Sequence, residues 1–324
     1  MTKCQSRRYG IVLDSFIIKM YFMKYSNEQL KDMAKPASDS EETRMDNATR
    51  MVKEALSSND IIRDDEYEIF AQGSYANNTN VRNNSDVDVN VCYTGAFYYR
   101  IPAGTTREQY GLTNPATYSF GQFKDDIEHI LVGKFGRDQV VRKNKCIHIK
   151  GNSYRTDMDI VPTWKFRRYD NRYNRNYVEG VRLYADSGEE VTNFPQQHLA
   201  NGKFHNVKTK ERYKKLVRIT KRIHINMEND GYYKNSNITS FLLESLVYLL
   251  PNNYYLLNTD YYDWNEILKN AISYWYNQTS NENGAWKEWT EVSELLYLMT
   301  GHKWSRTDVN AFSFNMWNYL EYVN

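Results

Sequence analysis

Between Asp86 and Tyr93 apolar and polar residues alternate one by one, with Val87, Val89 and Val91 set against Asp86, Asp88 and Asn90. A period of two predicts a strand with one face on a core and two carboxylates on the other. A short strand at 66–70 precedes it and runs into the turn formers Gly73 and Ser74. Alternation returns at 140–150 and 155–162, which read as a hairpin around Gly151, Asn152 and Ser153. In its second arm Thr156, Met158 and Ile160 alternate with Asp157, Asp159 and Val161. A second hairpin is predicted from 180–184 and 189–193 around Asp186, Ser187 and Gly188. Residues 98–114 carry Gly, Pro and Thr with little pattern and read as a loop.

The helical period marks other stretches. Residues 27–58 are helical with a break at Pro36, and Ala48, Met51, Val52 and Ala55 form a stripe. Ser38 followed by early acids suits a helix start. Residues 119–135 bring Phe120, Phe123, Ile127, Ile130 and Leu131 to one side. Residues 195–206 read as a polar crossing and the domain boundary. Beyond them Tyr213, Leu216, Val217, Thr220 and His224 share a stripe, while Lys214, Arg218, Lys221 and Arg222 fall on or near another face. Residues 237–250 form a strongly apolar helix stopped by Pro251, and further helices are expected at 264–276, 286–300 and 307–322.

The chain has 324 residues, 41% apolar and 25% charged, enough for two packed units and too apolar for disorder. Its net charge is +2, but Lys and Arg crowd between Arg137 and Arg222. A local basic field on a near-neutral protein points to a phosphate-bearing small ligand rather than a long nucleic acid. Three cysteines, Cys4, Cys92 and Cys146, form no CxxC, which fits a reducing cytosol and argues against zinc or a disulfide scaffold. No run approaches 18 apolar residues, so no membrane span is expected. The apolar run 11–23 is interrupted by Asp14 and Lys19 and lacks a cleavage site, and Met20 or Met23 is a candidate start.

Chemistry enters through the carboxylate strand. Asp86 and Asp88 lie roughly 6.6 Å apart along one strand face. Such a pair can bracket two divalent ions, which sit roughly 3.5–4 Å apart in two-metal sites. Gly73-Ser74, eleven intervening residues and Asp86-Val-Asp88 together form the signature of the polymerase-β-like nucleotidyltransferases. Asp159, directly before Ile160, Val161 and Pro162, fills the role of that superfamily's third carboxylate, with Asp157 on the same face as its rival. In this chemistry Asp86 and Asp88 hold both ions and Asp159 completes the one beside the attacking hydroxyl. Gly73 and Ser74 hold the β- and γ-phosphates through backbone N–H groups and the Ser74 hydroxyl. Lys221 is expected to reach across the cleft to the triphosphate, so that its loss raises KM without unfolding the protein. Ser240 either caps the helix it opens or binds phosphate. Phe241 is the one stacking candidate and Thr163 a candidate for reading the base. Arg167, Arg168, Arg172 and Arg175 either contact an acceptor nucleotide or belong to a solvated loop.

With these residues in place the sequence resembles the bacterial cyclic-oligonucleotide synthases, the cyclic GMP-AMP synthase/oligoadenylate synthase-like group of anti-phage defence. The resemblance runs in order through Gln72-Gly-Ser-Tyr75 with Thr79, Asp86-Val-Asp88, Asp159-Ile-Val-Pro162, the segment from Asn193 to His198, Leu216-Val-Arg-Ile-Thr-Lys221 and Thr239-Ser-Phe-Leu-Leu-Glu244. It implies an α+β fold: a polymerase-β-like nucleotidyltransferase lobe with a mixed twisted sheet, and a C-terminal helical lobe, the active site in the cleft. It places an extension at 1–23, the nucleotidyltransferase core with its bracing N-terminal helix at 24–200, and the helical lobe at 201–324. It further implies nucleotide binding by Gln72, Gly73, Ser74, Lys221 and Ser240, and metal binding by Asp86, Asp88 and Asp159 with two Mg²⁺ ions, Mn²⁺ being an alternative. The substrates would be ATP or other NTPs and the product a cyclic di- or trinucleotide that activates a separate effector. The enzyme would be a cytoplasmic monomer without a stable nucleic-acid partner, the zinc-like insertion of the animal enzymes being absent. A nucleotidyltransferase that labels RNA, protein or a small molecule without cyclisation is the alternative, and a catalytically silent nucleotide-binding module the rival from another class.

Overall fold

The structure, a computed structural model, describes residues 23–36, 38–81, 86–171, 174–256, 263–299 and 304–322. The apolar run 11–23, apart from Met23, and Arg172 therefore lie outside the described residues. The chain opens with α1 (Asn27–Met33), whose start is a capping box: Gln29 N–H donates to Ser26 Oγ and Ser26 N–H to Gln29 Oε1. Pro36 ends it, and α2 (Asp39–Ser57) follows with Met45, Ala48, Val52, Ala55 and Leu56 buried. β1 (Tyr67–Gln72) runs straight into the single turn α3 (Gly73–Ala76). The carboxylate strand is β2 (Val87–Arg100), with Asp86 just before it. It continues well past Tyr93, so the front of the expected loop is strand.

α4 (Phe120–Phe135) starts at Ser119, whose hydroxyl accepts from Gln122 N–H, and it buries Phe123, Ile127 and Leu131 completely. The first arm of the expected hairpin is itself folded into β3 (Val140–Arg142) and β4 (Ile147–Ile149), and β4 then pairs antiparallel with β5 (Met158–Arg168). β6 (Val178–Tyr184) and β7 (Glu190–Asn193) form the second hairpin, with Val181 opposite Asn193 and Tyr184 opposite Glu190. The strands run β1-β2-β5-β4-β3, with β6 continuing from the far half of β5. β1–β2 is antiparallel and β2–β5 parallel, so the sheet is mixed. The parallel pair needs a crossover, and the span between its strands carries α4. One sheet face, through Val87, Val89, Val91, Met158 and Ile160, packs on α2 and α4 to make one hydrophobic core.

The second core is helical. It gathers α6 (Tyr213–Asn229), α7 (Ser240–Tyr248), α9 (Trp264–Ser280) and α10 (Arg306–Tyr319), together with Leu30 and Ala34 from α1 and its end. Between α7 and α9 lies the short α8 (Asn252–Tyr255). The Pro36 break is thus where the chain leaves the helical core and enters the sheet core.

Two expectations are overturned. The polar crossing is a helix, α5 (Pro195–Lys208), with proline in its first turn, where a missing N–H costs nothing. It buries little of itself, Phe204 and Val207 being exposed, so its apolar residues never made a stripe that betrayed it. The helix expected at 286–300 is instead a 3₁₀ turn (Ala285–Glu288) followed by a Thr290–Tyr297 bridge. There Glu291 N–H bonds Leu296 O and Leu298 N–H bonds Trp289 O, pairings only a doubled-back chain can make.

Candidate active site

The site is built by register. Antiparallel pairing sets Gln72 beside Asp88, parallel pairing sets Asp88 beside Asp159, and β4 sets His148 beside Asp159. One row thus crosses four neighbouring strands as Gln72, Asp88, Asp159 and His148. Asp86 stands one step earlier on the same strand face, exposed, while Val87 beneath it is fully buried. Ligand atoms of Asp86, His148 and Asp159 all lie within 4.8 Å of one another.

Like charges at this distance distort ionisation. Burial, then Asp159 and Asp86, push the Asp88 carboxyl up to about 7. Asp86, although its residue is exposed, is raised as well, first by partial desolvation of its carboxyl against the sheet and then by Asp159 and Asp157. Asp159 goes the other way. Burial alone would raise it, but His148 Nδ1 at 2.8 Å and Lys143 Nζ at 3.1 Å hold its carboxyl below the usual range. Asp157, the rival third ligand, turns its carboxylate to the Gly151 N–H and closes the β4–β5 turn instead.

Gly73 has φ +69°, the left-handed region, and an added Cβ would lie 2.1 Å from Asp88 Oδ2. The glycine is therefore required twice, by its backbone and by the carboxylate pressed against it. It carries Ser74 to the mouth of a cavity of about 620 Å³, lined on the sheet side by Gln72, Gly73, Ser74 and Asp88 and on the helical side by Lys221, Ser240, Phe241 and Glu244. Asp86 and Asp159 stand beside Asp88 rather than in the lining.

On the helical side the basic face of α6 is not solvated: Arg218 and Lys221 are buried. Lys221 Nζ meets Glu244 Oε2 at 3.0 Å, Thr79 Oγ1 at 3.2 Å and Thr79 O at 3.3 Å. Lys221 is thus held in the fold by three contacts as well as facing the cleft, which argues that its removal also costs stability. Ser240 need not cap its helix, because the Thr239 hydroxyl accepts from Leu242 N–H. Phe241 stacks on Trp304 at 5.6 Å and 14°, both lining the cavity. Thr163 is buried in the sheet and donates to Asn90 Oδ1 at 2.7 Å, which removes it as a reader of the base.

The arginines do structural work. Arg167 lies over the Phe97 and Tyr177 rings, Arg168 donates to Leu295 O and Asp170, and Arg175 donates to Gln109 O. Sequence reasoning did not single out His148 or Lys143, and it met His198 and Glu244 only as parts of family landmarks, without a role. For His148 the signal was a lone polar residue between Ile147 and Ile149; for Glu244 it was a single carboxylate in an apolar helix.

The residues fit divalent cations. The carboxylates of Asp86 and Asp159 converge with His148, and Asp88, beside Asp159 in the ladder, carries a raised proton affinity that a cation or a proton relieves.

Comparison with known proteins gives the family. The family described as "cGAS/DncV-like nucleotidyltransferase C-terminal helical domain" matches residues 200–321. The chain is 48% identical to the "Cyclic dipyrimidine nucleotide synthase CdnE" of Cecembia lonarensis, covering 92% of this chain and 99% of the relative. The protein of the same name from Legionella pneumophila is 36% identical over 91% of this chain and 97% of its own. Among solved structures, the Elizabethkingia meningoseptica CdnE cyclic dinucleotide synthase with GTP and Apcpp superposes with a TM-score of 0.76 at 33% identity, over 92% of this chain and 100% of that one. By sequence, fold and the order of its motifs, this chain belongs to the CD-NTases, nucleotidyltransferases that synthesise cyclic nucleotides.

Proposed function

We propose that this enzyme joins two pyrimidine nucleoside triphosphates into a cyclic dinucleotide, with two Mg²⁺ ions, or Mn²⁺, held by Asp86, Asp88 and Asp159. Support for the bases comes from the relatives at 48% and 36% identity, both named cyclic dipyrimidine synthases. Support for the metal assignment comes from one observation above all: the parallel β2–β5 ladder that brings Asp159 level with Asp88. In each of two rounds a ribose hydroxyl oxygen bonds the α-phosphorus, its proton passes to solvent, and pyrophosphate leaves with the electrons of the broken P–O bond. Bound divalent cations would lower the pKa of the attacking hydroxyl and offset charge on the leaving group. The chain's part is to hold and orient. Gly73 and Ser74 seat the β- and γ-phosphates, Ser240 and Lys221 face them from the other wall, and Gln72 ends the strand that supports the turn. His148 and Lys143 keep Asp159 ionised and aimed, and the Phe241–Trp304 shelf closes one end of the cavity.

The product would leave a cytoplasmic monomer to activate a separate effector in anti-phage signalling. Among the described residues no helix is long and apolar enough to cross a membrane. The test is incubation with each labelled NTP and Mg²⁺, then phosphatase. A phosphatase-resistant product from UTP or CTP alone, with the mass of a cyclic dinucleotide, is expected. Resistance only when ATP or GTP is present overturns the base assignment, and label on an added RNA or protein overturns cyclisation.

A further inference from the structure

Glu244 is the one charged side chain of α7, a helix that otherwise buries Leu242, Leu243, Leu246 and Val247. It is 4% exposed and saturated with donors. Oε2 accepts from Thr79 Oγ1 at 2.7 Å and Lys221 Nζ at 3.0 Å, and Oε1 meets His198 Nε2 at 3.1 Å. Thr79 in turn closes the loop behind Ser74, its N–H donating to Ser74 O at 2.8 Å. One carboxylate therefore ties α5, α6 and α7 to the turn that presents Ser74. A well-packed apolar group would stabilise such a position as well as a buried ion pair does, so stability alone does not account for the charge.

We infer that Glu244 is the positioning residue of the nucleotide seat, fixing the Lys221 side chain in the cleft wall and anchoring the Ser74 loop through Thr79. This rests on the reading of Gly73–Ser74 as the triphosphate seat. The charged and titratable groups facing Glu244 are His198 from α5 and Lys221, Lys214 and Tyr213 from α6. Without the Glu244 carboxylate, Lys221 Nζ and Thr79 Oγ1 lose the acceptor they share, and both the amine and the Ser74 loop are released from the places they hold in the cleft wall. The consequence is a loss of nucleotide affinity in protein that is still folded. A merely structural role lowers stability and leaves the affinity of the folded protein unchanged.

The experiment is calorimetric binding of uridine 5′-(β,γ-imido)triphosphate with Mg²⁺ at pH 8, to the full chain and to Glu244→Gln, with circular dichroism to establish that each sample is folded. Glu244→Gln should bind about tenfold more weakly while folded, as expected for a lost charge-assisted contact. Thr79→Val, which leaves the ion pair intact, should also weaken binding, and Thr79→Ser should restore it. This pair carries the test of the loop anchor if Glu244→Gln fails to fold. Equal affinity of folded Glu244→Gln and native protein, or native affinity in Thr79→Val, overturns the inference. A native chain that binds no nucleotide overturns the seat itself.

Discussion

On the sheet side of the cleft, Asp86, Asp88 and Asp159 share one strand face with too few cations: Lys143 and His148 serve Asp159, and Asp88 is left with a carboxyl pushed up to about 7. On the helical side, Lys221 and Glu244 lie buried with every donor and acceptor matched. The sheet wall is electrostatically incomplete and gains from an added cation. The helical wall is complete and loses by any subtraction. Function at the first wall is therefore separable from folding, whereas at the second it is not.

Four measurements can break or sharpen that contrast. Asp86→Ala or Asp88→Ala should cut turnover about 100-fold or more, since even residues supporting a metal ligand are worth roughly 10–100-fold. Melting of these variants without divalent ions should not drop, because a repelling charge is gone; NTP consumption and thermal scans check both halves. Lys221→Ala should behave oppositely, destabilising the protein by about 3–5 kcal/mol in urea by leaving Glu244 short of its cation. Near-native stability would remove the distinction between the walls. Gly73→Ala should cost about 1–2 kcal/mol for its left-handed backbone and lower turnover by moving Asp88, measured by urea melts and NTP consumption.

The smallest effect is in pH. The folded protein holds a proton on Asp88 up to about 7, where the unfolded chain, with an ordinary carboxyl, has already released it. Between about pH 4 and 7 the native state binds more protons, so Asp88 makes stability fall as pH rises through that window. Asp88→Asn without divalent ions should melt a few degrees above the native protein at pH 8, the gap closing toward pH 4. Glu244 has the reverse sign. Burial would raise it, but Lys221, His198 and Thr79 hold its carboxyl well below the usual range, so its contribution is present at neutral pH and lost in strong acid.

How far the sequence revealed this differs by wall. Strand alternation placed Val87, Val89 and Val91 in the core and the aspartates opposite, because a one-residue slip would have buried the charges. The motif spacing gave Gly73 and Ser74, and the aliphatic pair before Pro162 favoured Asp159 over Asp157, which the Gly151 turn explains. Lys143 and His148 were not legible, since both reach Asp159 through a hairpin whose register no local pattern fixes. In the helical wall the family motifs already carried Thr79, His198, Lys221 and Glu244, but not that they meet. They come from four separate segments, and no local pattern pairs them. α5 escaped because it covers little core, and the 290–297 turn because Trp and Leu there suggested a helix where the backbone doubles back.

The seat of α1 bears on how the chain is made. Asn27 Oδ1 receives the Trp264 N–H, and Leu30 lies in one cluster with Leu216 and Trp264. At bacterial synthesis rates these partners leave the ribosome on the order of 10–40 s after the helix itself. Throughout that interval a seven-residue, mostly polar helix has only Leu30 and Met33 to bury and nowhere to dock them. Its order therefore waits on the helical lobe, and a chain stalled before Leu216 holds its sheet core with α1 still undocked.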